Sequence, residues 1–294
     1  MRCKCIILHY YVNYDNICVV MIMKICDSHI HSDFSFDGSV SVEEMVKQGI
    51  KNNISVMTIT DHCDATGIGD KNNEFGVVLE DSIPASVKET KRIAQIYKDK
   101  IKVLTGIELG EPTHNKEKTE IALNLAEYDF ILASTHEVKG RRDFYFLEYN
   151  KDNVDTLLRE YFNEQLEVAR WNGFDSLAHF DYPARYIYER TDIALDYSPY
   201  MDVIDEILKT LIKNNKALEV NTSTLTKPLG RTMPGVDILA RYKELGGYLI
   251  TLGSDAHKKE VLGDNLDKAI LMLKEIGFTA YHYFENHKPI EVNI

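Results

Sequence analysis

Ile25-Cys26-Asp27-Ser28-His29-Ile30-His31 begins as a short apolar run and ends in a histidine pair. In a β-strand, side chains two residues apart point to the same face, so His29 and His31 stand side by side within reach of one cation. Asp37 follows on a stretch able to curl back. Taken alone, such a pair reads equally as part of a metal site or as a chance pairing. Repetition shifts the balance. Ser55–Thr60 runs into Asp61-His62, Ile101–Ile107 into Glu108, Phe130–Thr135 into His136, and Phe174–Ala178 into His179. Ala217–Val220 leads to Asn221, and Tyr248–Ser254 to Asp255-Ala256-His257. Of these seven strand-like runs, six end in a residue able to bind a metal.

The candidate ligands are His29, His31, Asp37, His62, Glu108, His136, His179, Asp255 and His257. Imidazoles and carboxylates without a thiolate suit zinc, iron or manganese. Nine ligands exceed the needs of one ion, and three ions at three or four ligands each use the whole set. Two cations about 3.5–4 Å apart can activate a water and hold a leaving oxygen. Six neutral imidazoles and three carboxylates around three divalent ions leave a charge of about +3, which complements a phosphate monoester dianion.

Helix-like segments separate most of these runs, which implies a parallel sheet. In a closed parallel barrel the chemistry lies at the carboxyl ends of the strands, where every candidate ligand falls. Ser41-x-x-Glu44 is a capping box opening a helix with Val42, Met45, Val46 and Ile50 inward. Residues 63–83 read as a long glycine-bearing loop over the site. Helices are predicted over 84–100, 116–126, 152–171 and 199–214, from Pro234 to Gly246, and over 265–276, with a final extended segment over 278–294. His9, His114, His282 and His287 have no strand-end placement and read as surface or packing residues.

The 294-residue chain suits one α/β barrel, taken as a single domain over 23–294. Its net charge of −12 argues against binding long nucleic acid through a basic surface. A small phosphorylated substrate stays compatible, because bound cations reverse the sign locally. Five cysteines are too few and too odd for a disulfide framework, and Cys3-x-Cys5 with His9 lacks zinc-type spacing. Residues 1–22 read as an N-terminal appendage or a start placed too early. They show neither a membrane-length apolar run nor a clean signal peptide, and a cytoplasmic protein is expected.

His29-x-His31, Thr60-Asp61-His62, Gly106-Ile107-Glu108, His136, His179 and Ser254-Asp255-x-His257, in this order, resemble the PHP (polymerase and histidinol phosphatase) superfamily. Glu219-Val220-Asn221-Thr222-Ser223, Lys227-Pro228-Leu229-Gly230 and Asn286-His287-Lys288-Pro289 resemble its stand-alone histidinol-phosphatase branch, which often has Arg where His287 stands. The resemblance implies a distorted (β/α)7 barrel with three divalent metals. His29, His31, Glu108 and Asp255 would hold the first. Glu108, His136 and His179 would hold the second, and Asp37, His62 and His257 the third. Many relatives carry His where Asp37 stands. Arg185 and Arg231 resemble the branch's phosphate-binding arginines. Asp61 and Asp64, beside His62, are candidates to protonate the leaving alkoxide or to orient a ligand. The implied activity is hydrolysis of L-histidinol phosphate by direct attack of water on phosphorus. A phosphoesterase acting on nucleotides is the near alternative. An amidohydrolase fits less well, since it needs a His where Asn221 stands, and a non-catalytic barrel would be expected to have lost ligands.

Overall fold

The computed structural model describes residues 24–70 and 76–294. The expectations for residues 1–22, including Cys3, Cys5 and His9, lie outside them. Eight parallel strands form the main sheet: β1 (Ile25–Ile30), β2 (Ile54–Ile59), β3 (His62–Asp64), β4 (Lys102–Gly110), β5 (Phe130–Ser134), β6 (Ser176–Leu177), β7 (Ala217–Asn221) and β8 (Ile250–Gly253). Their order is β1-β2-β4-β5-β6-β7-β8, with β3 paired to β4. The sheet curls nearly into a barrel. Its first and last strands meet at their carboxyl ends, where the Asp255 N–H donates to His29 O (2.9 Å) and the His31 N–H to Ala256 O (3.0 Å). The expected α/β barrel with seven main strands is therefore observed, with β3 as a short addition.

Among the described residues, eight α-helices clothe the sheet: α1 (Val42–Lys51), α2 (Leu79–Tyr97), α3 (Lys116–Leu123), α4 (Val154–Trp171), α5 (Pro183–Arg190), α6 (Met201–Lys213), α7 (Val236–Glu244) and α8 (Leu266–Ile276). Ser41 caps α1 as expected, its side chain accepting from the Glu44 N–H. The helix predicted from Pro84 begins earlier, at Leu79, and Pro84 lies inside it. Burial of Leu79 and Ile83 against Leu109 and Ala122 offsets the hydrogen bond that proline cannot donate. Helix α5 falls in a stretch for which no helix was expected.

The terminal extended segment is a two-stranded antiparallel hairpin, β9 (Ala280–Glu285) and β10 (Lys288–Asn293). Asn286 and His287, at φ 50° and 60°, make its turn; two consecutive positive φ values match the twist of a tight hairpin. The hairpin packs under the amino ends of the strands. Tyr281 Oη donates to Lys24 O (2.7 Å) and accepts the Cys26 N–H (3.0 Å), tying β9 to the start of β1. His287 Nδ1 lies 2.8 Å from Asp175 Oδ2, just before β6. Among the described residues, no helix is long and apolar enough to cross a membrane.

Tyr281→Phe strands the buried Cys26 N–H without an acceptor, at a cost of about 1–3 kcal/mol. A urea unfolding curve at lower midpoint and unchanged slope is the expected result, and an unchanged midpoint would show that the hairpin does not brace β1.

Candidate metal centre

The register of the sheet makes the centre. β4 pairs with β2 along its first half and with β3 and β5 along its second, which sets His62 directly beside Glu108. Five imidazoles converge on the two oxygens of the Glu108 carboxylate. Oε1 faces His179 Nε2 (3.0 Å) and His136 Nε2 (3.3 Å). Oε2 faces His62 Nδ1 (3.0 Å), His29 Nε2 (3.2 Å) and His31 Nε2 (3.4 Å). Asp255 Oδ1 approaches the same His29 and His31 nitrogens at 3.8 and 3.6 Å. Asp37 Oδ2 lies 2.9 Å from His257 Nε2 and 3.6 Å from His62 Nε2. All nine candidate ligands thus meet in one place.

The donor atoms fit cations. The Nε2 atoms of His29, His31 and His257, with His62 Nδ1 and Glu108 Oε2, are buried and make only the close contacts above, none with the geometry of a hydrogen bond. Buried polar atoms left unpaired are costly, and here they all aim into one space. His29, His31 and Asp255 form one tight group, and His31, Asp37, His62 and His257 another. The donors are nitrogen and oxygen only, as divalent zinc, iron or manganese accept.

A ring of further carboxylates holds the ligands. Glu219 Oε1 takes the proton side of His29 at Nδ1 (2.7 Å), while Oε2 accepts the His179 N–H (2.7 Å). A Cβ on Gly253 would sit 2.2 Å from Glu219 Oε1 and 2.5 Å from His29 Cβ, so only glycine lets this pair form. Asp27 accepts from Ser254 N–H (2.9 Å) and Ser254 Oγ (2.5 Å), fixing the residue before Asp255. Asp255 itself sits at φ 54°, a strained position held by its bond to His29 O. Glu111 Oε1 accepts the His136 N–H (2.6 Å). The sequence offered one signal for Glu219 and Asp27: Glu219 is an acid between Leu218 and Val220, and Asp27 directly follows the apolar Ile25-Cys26. Glu111 had none.

The charged groups of the centre act strongly on one another. Burial alone would raise the Glu108 and Asp255 carboxyls, yet the surrounding histidines hold both well below the ordinary range. Burial likewise opposes the charged forms of His29, His62 and His136, but neighbouring carboxylates lift all three well above the usual imidazole value. Burial, then the nearby His257 and His62, push His31 well below it. Asp37 is held low by His257 and His62 against its own burial.

Above the centre opens a cavity of about 1040 Å³. Arg185 lines it, as expected, from α5, stacked over the Tyr186 and Tyr182 rings at 5.0 and 5.7 Å. Its Nε has no partner. Tyr182 stands against His136 and His179, with ring centroids 5.1 and 5.0 Å away. Asp64 also lines the cavity, its Oδ1 3.8 Å from His136 Nδ1. A Cβ on Gly110 would lie 2.2 Å from that oxygen, so glycine there leaves the carboxylate its room.

Two expected site residues stand elsewhere. Arg231 does not line the cavity; its guanidinium is spent on the buried Asp181 (2.6 Å), Tyr197 Oη (2.9 Å) and Thr232 O (2.8 Å). Lys227, from the same loop, lines the cavity instead. Desolvation, then Arg185, keep its ammonium below the usual range. Asp61 is 1% exposed and accepts four hydrogen bonds from Ser32, Ser35 and Ser86, so it faces no leaving group. His114, His282 and His287 stay outside the centre. His114 lies between Glu137 and Glu164 at 3.6 and 3.4 Å, and His282 packs edge-on to Tyr248.

Residues 27–223 match the PHP domain family. The chain belongs to that family. It is 30% identical over 270 residues to a histidinol-phosphatase of Lactococcus lactis, covering 90% of this chain and 96% of that one. It is 33% identical over 249 residues to a probable histidinol-phosphatase of Clostridium acetobutylicum, covering 84% and 91%. Among solved structures it resembles the L. lactis histidinol phosphate phosphatase complexed with zinc, L-histidinol and phosphate. That likeness has a TM-score of 0.76 and covers 92% of this chain and all of that one. This PHP-family chain is accordingly a phosphoric monoester hydrolase with a divalent-metal centre.

Neighbouring carboxylates raise the pKa values of His29, His62 and His136 against their burial, so zinc competes with protons for these nitrogens. Calorimetric titration of the metal-free protein at pH 7, in buffers of different ionisation enthalpy, should show net proton release, with affinity falling as the pH is lowered. A binding enthalpy independent of the buffer would contradict this. Arg231→Ala, which strands the buried Asp181, should cost about 3–5 kcal/mol of unfolding free energy. Arg185→Ala, which leaves no carboxylate unpaired, should change it by less than about 1 kcal/mol.

Proposed function

We propose that the chain hydrolyses L-histidinol phosphate to L-histidinol and inorganic phosphate, as a step of histidine biosynthesis. The observation that carries this reading is the set of buried, unpaired donor atoms of His29, His31, His62, His257 and Glu108, aimed at the floor of a cavity walled by Arg185 and Lys227. The substrate is supported by the L. lactis relative, whose structure was solved with zinc, L-histidinol and phosphate.

Three divalent ions, of zinc, iron or manganese, fit the donor set. His29, His31, Glu108 and Asp255 would hold one. Glu108 would share a second with His136 and His179, and Asp37, His62 and His257 would hold the third. Such ions, when bound, lower the pKa of water toward about 7 and neutralise charge on phosphoryl oxygens. The chain's own residues do the rest. The Arg185 guanidinium and Lys227 ammonium hold the phosphate dianion, a fork and a point charge that match its oxygens. The Tyr182 ring covers His136 and His179 and keeps bulk water from that side. Asp64, at the cavity wall, would take the proton that the attacking water loses and pass it to the leaving alkoxide. Asp143 and Glu111 line the same cavity and suit the ammonium group of an amino alcohol; burial raises both carboxyls, so pairing with a cation relieves them.

The test is phosphate release by the zinc- or manganese-loaded protein from a panel of monoesters that includes L-histidinol phosphate and nucleoside monophosphates. The expected result is a kcat/KM highest for L-histidinol phosphate, with KM raised about 10- to 100-fold in Arg185→Ala and Lys227→Ala at unchanged metal content, the loss of one charge-assisted contact each. Preference for a nucleotide, or arginine and lysine variants with wild-type KM, would refute the assignment.

A further inference from the structure

Ser35 lies on the loop between β1 and α1, 3% exposed, and its hydroxyl makes three contacts. It is 2.9 Å from Asp61 Oδ1, 3.0 Å from the His62 backbone nitrogen and 3.2 Å from His31 Nδ1. A hydroxyl has one proton to give and two lone pairs. The Asp61 oxygen only accepts, so the Ser35 proton goes there. The His62 N–H only donates, so it takes one lone pair. The remaining lone pair faces His31, and Nδ1 must carry a proton to satisfy it. That leaves His31 Nε2, the nitrogen facing Glu108 and Asp255, bare and ready for a cation.

Asp61 is what makes the direction unambiguous. Its Oδ1 accepts from Ser32 N–H (2.6 Å) as well as from Ser35, and its Oδ2 accepts from Ser32 Oγ (2.7 Å) and from Ser86 Oγ (2.5 Å) on α2. Four donors from two separate elements fix the carboxylate and keep the Ser35 hydroxyl turned away from His31. The arrangement parallels Glu219 on His29 Nδ1, with one difference: on His29 a carboxylate acts directly, whereas on His31 it acts through a serine.

We infer that Ser35 and Asp61 are positioning residues that set the tautomer of His31, and so the metal affinity of the groups His31 joins. This rests on the metal-centre reading above and is independent of the substrate. Outer partners of metal-binding histidines typically change affinity by 10- to 100-fold when removed.

Two measurements test it. In the zinc-loaded wild-type protein, long-range nitrogen–proton correlation spectra should place the His31 proton on Nδ1. Zinc affinity, measured by chelator competition, should fall about 10- to 100-fold at the weakest step in Ser35→Ala and recover in Ser35→Thr, which restores the hydroxyl. Asp61→Ala, which frees the Ser35 proton to turn to His31, should lose at least as much. A His31 proton found on Nε2, or zinc binding by Ser35→Ala equal to wild type, overturns the inference while leaving the metal centre intact. A wild-type protein that takes up no zinc overturns both. The spectrum needs no variant, so a Ser35 or Asp61 substitution that fails to fold does not remove the test.

Discussion

A fully buried carboxylate surrounded by five imidazoles is the constraint on which this structure turns. Burying Glu108 without partners would cost several kcal/mol, and no single partner could repay it. Each of its oxygens is faced by histidines from different strands, so the cost is repaid only when the ends of β1, β5 and β6 and the start of β3 lie at the same height. The sheet must curl to bring those ends together. Closure is secured where it matters, by backbone hydrogen bonds between His29–His31 and Asp255–Ala256 at the very residues that carry ligands. Folding the barrel and assembling the centre are one event.

The outer carboxylates fix the aim of the ligands. Glu219, Asp27, Asp61 and Glu111 each accept a backbone N–H that belongs to a ligand or to a residue near one. Each thereby converts a strand end, which could fray, into a fixed platform. Asp37 is the exception. It comes from the loop after β1, is 41% exposed at its side chain, and is held only by His62 and His257. The group of donors it belongs to is therefore the most open of the set and the one whose geometry depends most on the histidines opposite.

How much of this could be read in the chain follows from where the information sits. Ligands at strand ends were legible because a parallel barrel forces them together: the apolar run tells where a strand stops, and the next residue is automatically at the centre. The fates of Arg185 and Arg231 were not equally legible. Both follow strands, but position after a strand does not say which way a long side chain turns. Arg231 turns to Asp181, a buried acid 50 positions earlier that only the fold brings near. Asp61 and Asp64 flank His62 along one short stretch, yet one is sealed under three serines and the other opens to the cavity. The break between β2 and β3 decides that, and no periodicity announces it. The bounds of α2 and the existence of α5 were hidden for a related reason: Pro84 reads as a first-turn residue, whereas burial of Leu79 and Ile83 begins α2 earlier, and α5, opening at Pro183, is too short to show a clear apolar period.

The electrostatics of the whole molecule give the site its character. The chain carries a net charge of −12, so its outer field repels polyanions, and among the residues lining the cavity Arg185 stands close enough to Lys227 to help lower its ammonium pKa, after burial. Screening confines the outer field to about 8–10 Å at physiological salt, while the charges inside the cavity act at contact distance in a drier medium. A small dianion that passes the rim meets the histidine-rich floor with Arg185 and Lys227 on the wall, whereas a long nucleic acid must lay most of its phosphates against an acidic surface. Selection for a small phosphate ester therefore does not require a close-fitting pocket. In a cavity of about 1040 Å³, Arg185 and Lys227 are the groups that meet a phosphate, while Asp64, Glu111 and Asp143 on the same wall favour an ester that also carries a positive charge.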